Sequence, residues 1–381
     1  MLELVKALAL PLFSFLCMAM GSGLLNTCTS LRLEYEGFTP ETIGVVSSFL
    51  YVGVLIGSLR IDRWIMKVGH LQALTLFTLA QGGLVALQGL FVEPIYWSIL
   101  RLFGGIITAG VWIAIESWLL IQAPFALRGA AVSLYLTLTY IALSLGQFFT
   151  HFTDPKTYSP FLITSLLLFL GFISLKGCRV LNPKMEKRER MSLTALYKIS
   201  PFGFFGGIIA GMVLAAIYSL MPIYGQSIGL EISEIGTLMG TIIFGGLVFQ
   251  WPIGKLADQG RRRLLLRFAS LLCGILGCLL AISPPSLLIL LPLGWCFGGF
   301  AFVLYPLSIT YACEQVPSEQ IVAATGGFIF SYGIGSIAGP LLAPLAITWL
   351  GSAGLFYFLA SITSLFGLSS FVRQKTESYL G

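Results

Sequence analysis

Arg101, Gly105, Thr108, Trp112 and Glu116 recur at i, i+4, i+7, i+11 and i+15 within an otherwise apolar stretch. At about 100° per residue, this spacing sets all five on one stripe of a helix. An arginine two turns into an apolar helix must face protein or water, because lipid does not solvate it. Two other readings of Arg101 are open: a side chain that snorkels to the outer surface, or a fixed strut. Burial disfavours a carboxylate's charge, which makes Glu116 a candidate proton carrier. Its structural alternative is a partner for Arg128 or for a loop arginine. A second set of charges lies between apolar runs: Asp62-Arg63, and Asp258 with Arg261, Arg262 and Arg263. A carboxylate at such a junction can accept from backbone N–H groups and pair with an arginine. Other chemistries lack their residues. No paired catalytic acids, Cys-His set or metal-ligand cluster falls within the apolar runs. The seven cysteines are scattered without CxxC spacing, and no nucleotide-binding P-loop is present. His70 and His151 fall at the edges of apolar runs, where a histidine is ordinarily solvated.

Composition says what must hold these residues. The chain has 381 residues, 57% hydrophobic and only 10% charged, against about 25% charged in a soluble globule. That length accommodates about a dozen membrane spans. The apolar runs predict helices over 5–31, 40–59, 71–91, 95–121, 129–151 and 158–177, then over 200–225, 233–253, 264–282, 286–312, 320–347 and 353–372. The breakers Pro40, Pro94, Pro160, Pro201, Pro284-Pro285 and Gly351 separate them. The first run is long enough to span and lacks a small-residue cleavage site, so it is read as a retained helix.

The formal charge of +6 is a topology signal. With the N-terminus in the cytoplasm, 19 of the 22 Lys and Arg fall on the inner side, as the positive-inside rule requires. They include Lys6, Arg128, Arg373, Lys375 and the basic link Arg179, Lys184, Lys187, Arg188, Arg190 and Lys198. Arg32, Lys156 and Arg101 remain. This distribution argues against nucleic acid as a partner.

The run Gln250-Trp251-Pro252-Ile253-Gly254-Lys255-Leu256-Ala257-Asp258-Gln259-Gly260-Arg261-Arg262-Arg263 resembles the signature loop of the major facilitator superfamily, G-x-L-A-D-x-x-G-R-R, with Gly260 one place early. Gln-Trp-Pro-Ile-Gly, Val68-Gly69-His70, Glu116-Ser117-Trp118-Leu119, Arg128-Gly129, Tyr135 and Gly146-Gln147 resemble a bacterial branch, the YcaD-like members. Gly57-Ser58-Leu59 is taken to match Gly254-Lys255-Leu256, which makes Asp62 the partner of Asp258, displaced by one residue. The resemblance implies an all-α membrane protein of twelve transmembrane helices in two pseudosymmetric six-helix halves. The halves are 1–177 and 200–381, joined by a cytoplasmic link over 178–199. It implies that Asp62, Arg63, Gly254, Asp258, Arg261 and Arg262 latch the gate, and that Arg101 serves proton coupling with Glu116 as a second candidate. Spans 1, 4, 7 and 10 line the cavity in this superfamily. Ser22, Asn26, Arg101, Trp112, Tyr218, Tyr224, Gln226, Trp295 and Tyr305 are therefore the substrate candidates. Gly326, Gly335, Gly339 and Pro340 resemble the superfamily's antiporter motif, displaced from span 5 to span 11. Physically, such glycines let helices approach and the proline permits a bend.

The function this implies is secondary transport of a small organic solute across the bacterial inner membrane by alternating access, proton-coupled, with export of a metabolite or drug as the first reading. Uptake of an organic anion or an iron-chelating siderophore is the alternative; a non-transporting receptor or membrane-embedded enzyme is a second. The expected partners are the solute, protons and the lipid bilayer, with no cofactor and no metal. The chain is expected to act as a monomer with both termini cytoplasmic.

Overall fold

The computed structural model describes residues 9–123, 128–178, 192–316 and 320–378, with backbone only at 128–130, 132, 322, 323 and 370–378. Lys6 and the link residues Arg179, Lys184, Lys187, Arg188 and Arg190 lie outside the described residues, as do the side chains of Arg128, Arg373 and Lys375. The chain divides into two compact units, Met1–Lys187 and Arg188–Gly381.

The N-terminal unit contains α1 (Ala9–Tyr35), α2 (Pro40–Val68), α3 (His70–Gln88), α4 (Pro94–Gln122), α5 (Arg128–Gln147) and α6 (Ser159–Lys176). The C-terminal unit opens with a seven-residue helix, Leu193–Ile199. It continues with α7 (Pro201–Ser227), α8 (Ile232–Leu256), α9 (Arg262–Ile282), α10 (Leu287–Glu314), α11 (Ile321–Leu350) and α12 (Gly354–Ser378). Among the described residues, nine helical segments are long and apolar enough to cross a membrane. One of them, Ile232–Ile282, has 51 residues. At 1.5 Å per residue it would run about 77 Å, far beyond a hydrocarbon core of about 30 Å. Gly260, at φ +79°, breaks it into α8 and α9.

Glycine sets the closest helix contacts, and it does so reciprocally. A Cβ on Gly53 of α2 would overlap the Leu102 carbonyl of α4, and one on Gly105 would overlap the Leu50 carbonyl of α2. In each case the obstructing carbonyl lies three residues before the partner glycine. The same arrangement joins α8 to α10 through Gly245 and Gly298, against the carbonyls of Trp295 and Ile242. It joins α1 to α5 through Gly23 and Gly146, and α7 to α11 through Gly211 and Gly335. Each six-helix unit is therefore built on the same two glycine-fitted crossings, which is the internal repeat of the fold.

Two expectations are corrected here. The second helix does not end at residue 59. Arg60, Asp62 and Arg63 end the apolar run but not the helix, which continues to Val68 and stops at Gly69, with φ +87°. Asp62 thus lies inside α2 and is only 7% exposed. The equivalence of the two acids also shifts. If Gly53 matches Gly245, then nine residues on, Asp62 matches Gly254, and Asp258 matches Met66. The two aspartates differ by one helical turn.

Candidate functional site

α4 runs from Pro94, capped by Glu93, whose carboxylate accepts from the Tyr96 N–H at 2.6 Å. The cap fixes the start of the helix and so the position of Arg101 along it. Arg101 is 6% exposed, so it does not snorkel to the surface. Its Nη2 donates to Asn26 Oδ1 of α1 at 2.8 Å, and Tyr51 of α2 lies within electrostatic range. Arg101 Nε is buried without a hydrogen-bond partner among the described residues. No carboxylate pairs with this guanidinium among the described residues.

The stripe that begins at Arg101 is not one continuous open face. Gly105 packs on α2, Thr108 is buried, and Trp112 is 41% exposed. Glu116 is half-buried. The structure brings Arg101 and Asn26 together and leaves Glu116 at the other end of α4. Ser22 is half-buried on α1.

At the end of the N-terminal unit where α2 meets α3, Asp62 Oδ1 accepts from the Arg63 N–H at 2.8 Å, while the Arg63 side chain is exposed. His70 was expected at a solvated edge and is instead 1% exposed, with Nε2 3.1 Å from Ser117 Oγ of α4. His151 is exposed and stacks on Phe148.

In the C-terminal unit the loop over Ala257–Arg261 is a π-turn. Asp258 is largely exposed, and Arg262 Nη2 lies 3.5 Å from its Oδ1. Arg262 Nη1 donates to Glu314 Oε1 at 2.6 Å. Arg262 therefore ties the α8–α9 loop to the end of α10. Arg261 is exposed, and Arg263 lies over the Phe202 ring of α7, 5.9 Å from its centroid. Sequence reasoning missed Glu314. Its signal was an acid closing an apolar run.

The aromatic candidates of this unit separate into two kinds. Tyr224 is 4% exposed and packs edge-on against Phe356, centroids 4.6 Å apart, in the core. Tyr218 and Tyr305 are half-buried. Tyr218 meets Phe302 at 5.9 Å, and Tyr305 sits between Phe328 at 5.5 Å and Tyr332 at 4.9 Å. Trp295 is edge-on to Phe249 at 5.0 Å. Gln226 is half-buried, with Oε1 unpartnered among the described residues. Gly335 and Gly339 leave room for the Ile208 and Met212 carbonyls of α7, and Pro340 lies inside α11.

The glycine register allows the two units to be compared position by position. Arg101 matches Gly294, Asn26 matches Leu214, Glu116 matches Ile309, and Trp112 matches Tyr305. The charged and amide groups belong to the N-terminal unit alone, whereas an aromatic ring recurs in both.

Residues 203–379 match the family model described as Major Facilitator Superfamily. Among curated proteins, the chain is 30% identical over 365 residues to the "Uncharacterized MFS-type transporter YcaD" of Shigella flexneri, covering 95% of this chain and 94% of that one. It is 29% identical over 363 residues to the protein of the same description in Escherichia fergusonii, with the same coverage. Among solved structures it is similar to the nucleoside transporter NupG in its D323A form, with TM-score 0.83 and 14% identity, over 96% of this chain and 99% of that chain. It is also similar to a bacterial homologue of the human lysosomal transporter Spinster, with TM-score 0.70 and 13% identity, over 97% and 93% of the two chains.

Proposed function

The chain belongs to the major facilitator superfamily and is a multi-pass membrane transporter, and from that premise we propose that it carries a small organic anion by alternating access, coupled to protons. The single observation that carries this reading is Arg101. A buried guanidinium whose partner is a neutral amide keeps its full charge in a low-dielectric setting. Such an uncompensated charge costs several kcal/mol. An anionic solute, held in part by the planar fork of the guanidinium, removes that cost. Asn26 orients the fork without neutralising it. This favours the organic-anion reading over export of an uncharged metabolite or drug. It also separates this chain's solute from the nucleosides named for NupG, which a fixed cation has no reason to prefer.

Glu116 is the group we assign to the proton. It lies fifteen residues beyond Arg101, roughly 22 Å along the axis, so the two do not pair within α4. The interruption at Gly105 and the exposed Trp112 favour separate tasks for them, solute at Arg101 and proton at Glu116, over one continuous relay along the stripe. Asp258 with Arg262 and Glu314, and Asp62 with Arg63, act as the cytoplasmic latches of their units. The protein works as a monomer in the bacterial inner membrane, with both termini and the 178–199 link in the cytoplasm.

The test is flux in proteoliposomes, using anions that bind the purified protein. Glu116→Gln should retain counterflow exchange and lose accumulation driven by a pH gradient. If exchange and accumulation fall together, Glu116 only braces the inner gate. If wild-type protein binds the anion without moving it, the chain is a receptor.

A further inference from the structure

His70 is the first residue of α3 and is enclosed by α4. Its Nε2 lies 3.1 Å from Ser117 Oγ. Ser117 Oγ in turn lies 2.5 Å from the Ile113 carbonyl and 3.3 Å from that of Ala114. A hydroxyl has one proton, and two acceptors compete for it on its own helix. The hydroxyl donates to a carbonyl of its own helix. Ser117 must therefore accept from His70, which assigns the Nε2–H tautomer and leaves a lone pair on Nδ1. That Nδ1 is buried and has no hydrogen-bond partner among the described residues. The ring beside it, 5.9 Å between centroids, is Trp118. The Trp118 Nε1–H is equally buried and equally without a partner. Each ring is 1% exposed.

This arrangement holds a neutral imidazole and has no place for a second imidazole proton. A proton on Nδ1 would be a buried donor without a hydrogen-bond acceptor among the described residues. We propose that His70 is a proton-responsive positioning residue of the N-terminal unit: neutral, it pins the start of α3 to Ser117 of α4, and proton uptake requires that start to move away from α4. The inference rests on the chain being a transporter, and it is independent of the anion reading of Arg101. The charged and titratable groups on the elements packed around the start of α3 are known. They are Arg60, Asp62, Arg63 and Lys67 on α2, and Glu116, next in sequence to Ser117, on α4. Lys176, at the end of α6, is exposed and lies over its own Phe172 ring. Asp62 and Glu116 are the carboxylates among these groups. α3 begins directly after Gly69, whose φ of +87° sets the corner between α2 and α3. The same corner joins His70 to the end of α2, the helix that contains Asp62 and Arg63.

Because the chain contains only two histidines, nitrogen NMR reads this site directly. The sample is full-length His151→Gln, labelled at histidine and tryptophan nitrogens and held in lipid nanodiscs, with the Trp118 indole signal assigned through Trp118→Phe. Near neutral pH, the expected state is the Nε2–H tautomer. On acidification, a second His70 signal should grow in slow exchange with the first, and the Trp118 indole signal should shift with the same midpoint. Ser117→Ala, which removes the acceptor, should collapse the two His70 signals into one averaged line. Three results would overturn the proposal. One is the Nδ1–H tautomer near neutral pH. Another is a single line that titrates smoothly while the indole stays still. The third is a His70 that takes no proton before the protein unfolds.

Discussion

Arg101 Nη2 donates to Asn26 Oδ1 at 2.8 Å, joining α4 to α1 across 75 residues of sequence. The amide satisfies one N–H of the guanidinium and none of its charge. At the matching places in the C-terminal unit stand Gly294 and Leu214, so the repeat that built the scaffold did not duplicate this pair. A buried cation that the other repeat lacks at the matching position, oriented by a neutral side chain, is the feature the functional account has to explain.

Substituting the amide separates orientation from charge. Asn26→Asp should supply the missing counter-charge, raise the thermal midpoint by a few degrees, and abolish stabilisation by anions. A charge-assisted hydrogen bond contributes about 1.5–3 kcal/mol. Asn26→Leu should lower the midpoint, because it leaves a further guanidinium N–H unsatisfied. Differential scanning fluorimetry on the detergent-purified variants reads both. An Asn26→Asp protein that is no more stable and still responds to anions would mean that Arg101 already has its counter-ion.

The glycine crossings make a sharper stability prediction. Gly105→Val places a branched side chain where the Leu50 carbonyl passes, and no rotamer escapes a clash with backbone. The expected outcome is loss of monodisperse protein on size-exclusion chromatography. Gly254, by contrast, has open space around its Cβ position, and Gly254→Ala should elute as wild type. Equal behaviour of the two variants would refute the reciprocal packing.

How much of this was legible in the sequence depends on the range of the interaction. The twelve helices were legible, because each apolar run is long and is bounded by proline, glycine or charge. The end of α2 was not, because Arg60 and Asp62 stop the hydrophobicity while only Gly69 stops the hydrogen bonds. Arg101 was legible from its period and its cost in lipid. Its partner Asn26 was legible only as one of several polar residues on span 1, since the two lie 75 positions apart. His70 read as an edge residue because its burial depends on Ser117, 47 positions away. Glu314 escaped notice for the same reason, lying 52 positions from Arg262. Tyr224 shared its residue type with Tyr218 and Tyr305, and only Phe356 against its ring distinguishes it as core.

Arg262 and Glu314 should be coupled. Both are partly exposed, so the pair is expected to contribute modestly, about 0.5–1 kcal/mol in a double-mutant cycle. Arg262→Gln, Glu314→Gln and the double variant, compared by thermal midpoint in low and high salt, give that coupling and its screening. A cycle that closes at zero in low salt would show that the contact carries no energy.

The distribution of Lys and Arg predicts the sidedness. In a Cys-less background, Lys156→Cys should react with an impermeant maleimide added to intact cells, and Lys198→Cys should react only after the membrane is opened. Both side chains are exposed, so access rather than burial decides the rate. The reverse pattern would invert the topology.

The most direct measurement of the central claim is a thermal-shift comparison of wild-type protein and Arg101→Ala against matched sets of small anionic, neutral and cationic organic solutes. A ligand that binds only the folded state raises the midpoint in proportion to its occupancy. The account predicts that the stabilising solutes of the wild type are anions, and that Arg101→Ala loses them while remaining folded. Stabilisation by neutral or cationic solutes, or by anions that act equally on Arg101→Ala, would contradict it.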